Sequence, residues 1–218
     1  MTRRGATLAI MSLFMASPAA AGPVSGTVRT LTRPGVAPAT AVVYAEPIDA
    51  AAPKRPAKVS LGQKNKTFQP HVLAVPVGST VDFENDDQIF HNVFSLAAPR
   101  PFDLGLYRAG DSRTRTFLSA GTYRVFCNIH PQMTAVIIVV PTAYTTLAGP
   151  DGRYVLDLPP GRYRLSVLSE RASLVSADIA STEGATSAPE LTLDESKWVL
   201  VQHKNKFGKD YPAAAYER

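Results

Sequence analysis

From residue 22 onward the apolar residues of this chain fall in short runs, many alternating with polar ones, and Gly, Pro, Asn and Asp separate the runs. No later stretch repeats its apolar residues at the three-to-four spacing of an amphipathic helix, while 18 Pro and 14 Gly supply breakers throughout. The pattern predicts an all-β chain. Strands are expected at 24–28, 41–44, 82–85 (running into a turn at Asp86 and Asp87), 92–96, 123–126, 135–140, 153–158 and 162–168. In the last of these Tyr163, Leu165 and Val167 alternate with polar residues, and Asp151-Gly152 and Pro159-Pro160-Gly161 mark tight turns. Further strands are expected at 190–193 and 198–201, loops at 101–107 and 181–189, and an Ala/Pro-rich linker at 47–56.

The N-terminus reads differently. Arg3 and Arg4 precede an apolar run at 6–15, then Ser17, Pro18 and Ala19-Ala20-Ala21 before Gly22, which is the layout of a secretory leader cleaved after residue 21. The run falls well short of the roughly 20 residues of a membrane span, so a periplasmic protein without a span is expected. The rest of the 218-residue chain is too long for one small β core and long enough for two. The expected organisation is a leader at 1–21, N-terminal strands of a second sandwich at 22–58, a metal-binding sandwich at 59–140, the remainder of the second sandwich at 141–203 and a C-terminal tail at 204–218. The metal-binding part would then be inserted into, or flanked by, the second sandwich.

Removing Arg3 and Arg4 with the leader lowers the formal charge from +5 to +3. With no long Lys/Arg block and no aromatic ladder inside one, no nucleic-acid partner is expected. Lys197, His203, Lys204, Lys206 and Lys209 form the densest basic cluster and read as a solvent-facing tail.

The chemistry concentrates in one short loop. Cys127, His130 and Met133 place a thiol, an imidazole and a thioether within seven consecutive residues, and His91 lies upstream. Two nitrogens, a thiolate and a weak thioether are the ligands of blue-copper sites, which hold copper in both oxidation states and pass single electrons. The competing reading is a structural loop, because a lone Cys or Met is often core filling. A structural zinc site wants four Cys or His ligands, and this chain has one Cys. A binuclear copper centre lacks its second Cys, a multicopper oxidase its His-x-His pairs, and an intrachain disulfide its partner. His71 and His203 have no ligand-like neighbours and read as surface residues, while Asp86 and Asp87, adjacent on a turn, point apart. No Ser/His/Asp order or Gly-rich phosphate loop stands out, so no enzyme activity is expected.

These motifs resemble those of the cupredoxins. Phe90-His91-Asn92-Val93 is similar to the family's first-ligand motif, and Cys127-x-x-His130-Pro131-x-Met133 is similar to the short ligand loop of the amicyanins. Gln63, Asn65, Phe68 and Pro70, followed by Val75, Gly78, Val81, Phe83 and Asn85, resemble the opening strands of small cupredoxins. The likeness covers 60–140 and implies a Greek-key cupredoxin β-sandwich with one type 1 copper. It implies His91, Cys127 and His130 as equatorial ligands, Met133 as the axial ligand, and Asn92, Phe126 and Pro131 around them, with the Asn92 amide tying the two ligand loops together. By the same likeness, His130 is the edge through which an electron leaves.

The whole chain resembles larger periplasmic proteins described as plastocyanin-like or methylamine-utilisation proteins. Its flanks resemble the transthyretin-like regulatory domain found beside carboxypeptidases, which implies a second, smaller β-sandwich. The implied function is one-electron transfer between periplasmic redox proteins, with a dehydrogenase or a c-type cytochrome as candidate partners. The alternatives are a copper-binding or delivery protein, and a structural or recognition β-sandwich with incidental metal.

Overall fold

Two stretches, 41–45 and 135–140, are apolar at every position rather than at every second one. The computed structural model, which describes residues 21–96 and 100–212, gives the reason: both stretches are buried on both faces. The expected leader lies outside the described residues except for Ala21.

The described residues form strands and no helix. At the N-terminus are β1 (Gly22–Leu31) and β2 (Val42–Pro47). Short strands follow: β3 (Lys58–Ser60), β4 (Gly62–Lys64), β5 (Thr67–Gln69), β6 (Val72–Pro76), β7 (Thr80–Glu84), β8 (His91–Ser95), β9 (Phe102–Tyr107), β10 (Ser112–Thr116), β11 (Gly121–Phe126) and β12 (Thr134–Val140). Then come β13 (Thr145–Leu147), β14 (Arg153–Leu158), β15 (Gly161–Leu168), β16 (Val175–Ser181), β17 (Thr186–Ser187) and β18 (Leu191–Asp194).

In the first sheet β1 pairs antiparallel with β14 and parallel with β17 and β18. The second runs β13-β2-β15-β16, antiparallel throughout. The third runs β6-β12-β11-β8-β9, and the fourth β10-β7-β3, with the β4-β5 hairpin beside it. Strands from before residue 58 and after residue 140 therefore share the first two sheets, and β3 to β12 build the others.

The period of two along a strand sends successive side chains to opposite faces, and here it divides them among three cores. From β2, Val43 and Ala45 pack with Val24, Tyr154 and Leu165 between the first two sheets, while Val42 and Tyr44 face the other way. From β12, Ala135, Ile137 and Val139 pack with Val81, Phe83 and Phe117 between the third and fourth sheets. Its alternate residues Val136, Ile138 and Val140 meet Val42, Tyr44 and Val72 in a middle core that joins the two sandwiches.

Residues 101–107, expected as a loop, form the edge strand β9, which pairs with β8 across a bulge between Asn92 and Phe94 and turns Phe102 and Tyr107 inward. None of these residues is β-branched, and Asp103 and Gly105 interrupt the run, which hides the strand in the sequence. Residues 181–189, also expected as a loop, include β17, whose two residues pair with β1. Residues 198–201, expected as a strand, lie outside every sheet, with Leu200 81% exposed.

His71, expected at the surface without a role, bridges the two sandwiches. Its Nδ1 bonds the Thr134 carbonyl at 3.1 Å and its Nε2 the Glu170 carboxylate at 3.0 Å. Arg124 adds a bond from Nη2 to the Glu170 carbonyl at 2.6 Å. The bond to Glu170 raises the His71 pKa above 6.5 against the opposing effect of burial, and the same bond lowers that of Glu170. Because the folded-state pKa of His71 is raised, its stabilisation is complete below pH 6.5 and is lost as pH rises through the raised value. The Glu170 contribution is present above pH 4.5 and is lost as pH falls through its lowered value. The side chain of His71 is 49% exposed, so the interaction is screened and modest.

Two outcomes are expected. The unfolding free energy from urea titration should fall slightly, by under about 1 kcal/mol, as pH rises from below 6.5 through the raised His71 value, and His71→Gln should remove that component. Ile138→Ala, at a position 1% exposed in the middle core, should cost about 2–5 kcal/mol in the same titration.

Candidate metal centre

His91 opens β8 and Cys127 follows β11, its neighbour in the third sheet, so the two residues emerge at one end of the sandwich. The turn before His91 is built around the buried Asn85. Its side-chain oxygen accepts the Asp87 N–H at 3.1 Å, and its amide donates to the carbonyls of Ile89 (2.9 Å) and Tyr107 (3.3 Å).

This closed turn directs the Asp87 carboxylate back toward His91, whose Nε2–H it accepts at 2.8 Å. Asp87 also accepts the N–H groups of Asn65 (2.5 Å) and Lys66 (2.8 Å). Those two residues form the tip of the β4-β5 hairpin, each at φ 53°, the left-handed region a two-residue turn requires. Burial would raise the Asp87 pKa, but these N–H groups and His91 outweigh it and hold the carboxyl below its ordinary range. With Nε2 committed to this carboxylate, the lone pair on His91 Nδ1 faces inward.

The ligand loop closes on itself. Cys127 N–H donates to the Met133 carbonyl at 3.2 Å and Met133 N–H to the His130 carbonyl at 2.9 Å. Inside it, His91 Nδ1 lies 3.7 Å and His130 Nδ1 3.6 Å from Cys127 Sγ, and the two nitrogens are 3.1 Å apart. His91 and Cys127 are fully buried, and His130 is partly exposed. Donors about 2.0–2.3 Å from a shared centre lie about 3–4 Å from one another, so this spacing suits one small metal ion.

The electrostatics point the same way. Burial raises the Cys127 thiol above its ordinary value, only partly offset by the N–H groups of Asn92, Ile129 and His130 directed at the sulfur. Burial above all, with the nearby Lys66 ammonium, lowers the His130 pKa. A cation bound between them would compensate the charge of the Cys127 thiolate and accept the lone pair of the neutral His130 imidazole.

No family model and no curated protein matches the chain. Among solved structures it is similar to amicyanin from Paracoccus versutus (Thiobacillus versutus), at 26% identity and a TM-score of 0.36, over 38% of this chain and 81% of that one. It is also similar to a purple cupredoxin from Nitrosopumilus maritimus, at 24% identity and a TM-score of 0.35, over 38% of this chain and 99% of that one.

The other expected site residues fall around these three donors. Met133 is buried in the core that contains Cys127. Asn92 reaches Cys127 through its backbone N–H, at 3.5 Å from Sγ, while its side-chain amide donates to Asp103 Oδ1 on β9 at 2.7 Å. The link between the ligand loops is thus made by the main chain, and the side chain ties β8 to β9. Phe126 and Pro131 contact His203, by ring stacking and through the Pro131 carbonyl.

Sequence reasoning passed over Asp87 and Asp103. The four-residue spacing of Asp87 and His91 across a turn was the available signal for the first; nothing local marks the second. Asp87→Ala should lower copper affinity about 10- to 100-fold in competition with a chelator, while Asp86→Ala should change it little.

Proposed function

We propose that this protein is a periplasmic one-electron carrier with a single type 1 copper, held by His91, Cys127 and His130 in a cupredoxin-like sandwich with Met133 as the weak axial ligand. The observation that carries the reading is the convergence of two imidazole nitrogens and one thiol sulfur at 3.1–3.7 Å, with His91 and Cys127 fully buried. Bound copper would supply the Cu(II)/Cu(I) couple. The chain's own part is to keep the donors in place in both states. Asp87 orients His91, and the Asn92, Ile129 and His130 N–H groups direct their dipoles at the sulfur.

His130 is the more exposed imidazole, with the exposed apolar residues Ile129 beside it and Phe90 beside His91. That rim suits docking of another redox protein, a dehydrogenase or a c-type cytochrome, with no substrate turned over on this chain. The leader-like N-terminus supports export. Complete burial of Cys127 and His91 favours a resident ion over one handed on to a partner.

Titration with Cu(II) should give an intense visible thiolate-to-copper band at one ion per chain that bleaches reversibly on reduction and is absent from Cys127→Ser and His91→Ala. Weak tetragonal electron-spin-resonance signals that survive Cys127→Ser would overturn the proposal.

A further inference from the structure

The C-terminal segment, expected as a solvent-facing tail, crosses the ligand loop instead. Its start is anchored to the second sandwich, where Arg171 lies 4.5 Å over the Trp198 ring. Beyond this, His203 stacks on Phe126 with ring centroids 3.9 Å apart and planes 19° apart, and its Nε2 bonds the Pro131 carbonyl at 2.7 Å. Tyr211 packs edge-on against His203 at 5.3 Å. Lys206 donates its backbone N–H to Asn128 Oδ1 at 3.0 Å and its Nζ to Asp103 Oδ2 at 2.8 Å.

These contacts fall on residues beside the metal-site donors. Phe126 and Asn128 flank Cys127, Pro131 follows His130, and Asp103 holds the side chain of Asn92, next to His91. The segment's aliphatic residues and Phe207 contribute little to its docking. Val199, Leu200, Val201 and Phe207 are 58–81% exposed, whereas a chain end fastened by the hydrophobic effect would turn them inward.

We propose that residues 198–212 form a strap in which His203 and Lys206 are positioning residues for the metal loop, restraining 126–131 from the side opposite the core. The strap limits opening of the loop, and so slows loss of the bound ion and fixes the geometry around Cys127. This inference rests on the metal-site reading above for its consequence, though not for the restraint itself.

The test uses the full chain and His203→Ala, compared first without metal by hydrogen exchange and then with copper. In the metal-free protein, amide exchange across 128–133 should accelerate about 10-fold, while β14 and β15 keep wild-type protection. With copper, transfer of the ion to a chelator should accelerate about 10-fold or more, and the thiolate-to-copper band should shift. His203→Phe, which keeps a ring on Phe126, should recover part of the protection.

Unchanged exchange across 128–133 in His203→Ala would overturn the strap, as would acceleration spread equally over β14 and β15. If wild-type protein gives no thiolate-to-copper band, the electron-carrier reading falls, and the metal-free exchange still decides the strap.

Discussion

β12 has no free face and no free edge, and the ligand loop hangs from it. Its odd-numbered residues, Ala135 to Val139, close the core of the metal-binding sandwich, and its even-numbered residues, Val136 to Val140, close the core shared with the other sandwich. Its two edges are paired with β11 and β6. A strand constrained in all four directions gives the chain that enters it a fixed origin. The Cys127–Met133 backbone bond extends the β11-β12 pairing into the loop itself, so loop geometry follows from strand register more than from the loop's own sequence.

Such a framework matters because the donors favour neutrality. A buried thiol and a depressed imidazole do not draw each other together, and ionising the sulfur without a partner would be costly. Their placement is secured at other atoms: His91 through Nε2 and Asp87, Asn92 through its amide and Asp103, the loop through its main chain. The donors are therefore held at atoms other than those that would face a metal, and a bound cation would offset the cost of ionising the sulfur. With the copper proposed above, donors held in this way would move little between oxidation states, as one-electron transfer favours.

The strands were readable where one face meets solvent. β14 alternates buried and exposed positions without a break, and the Asp151-Gly152 turn before it was visible as such. At 41–45 and 135–140 the unbroken apolar run announced a strand but could not say which faces met which core, since period two separates faces and does not name their partners. The donors His91, Cys127 and His130 were legible because their chemistry is rare and their spacing compact. Asp87 was obscured by Asp86 beside it, and its role depends on a turn that Asn85 closes through three side-chain bonds. His203 was illegible for a different reason: the segment around it has no regular backbone structure, and its contacts with the ligand loop are made with residues distant in sequence.

The second sandwich bears on the metal end through the same strands. Thr134, at the start of β12, and Arg124, on β11, are the points where His71 and Glu170 fasten the two halves of the molecule. Both lie close to the ligand loop, on the strands that enter and leave it. Trp198, held under Arg171 of the second sandwich, starts the segment that reaches Pro131 from the outside. The loop is thus gripped along its flanking strands by the middle core and the His71–Glu170 clamp, and from the front by residues 203–206. A small cupredoxin-like unit alone would have the ladder and its own core but neither of the other restraints. The extra β structure is then best understood as a scaffold for the site, with its influence expressed in how far seven residues can move.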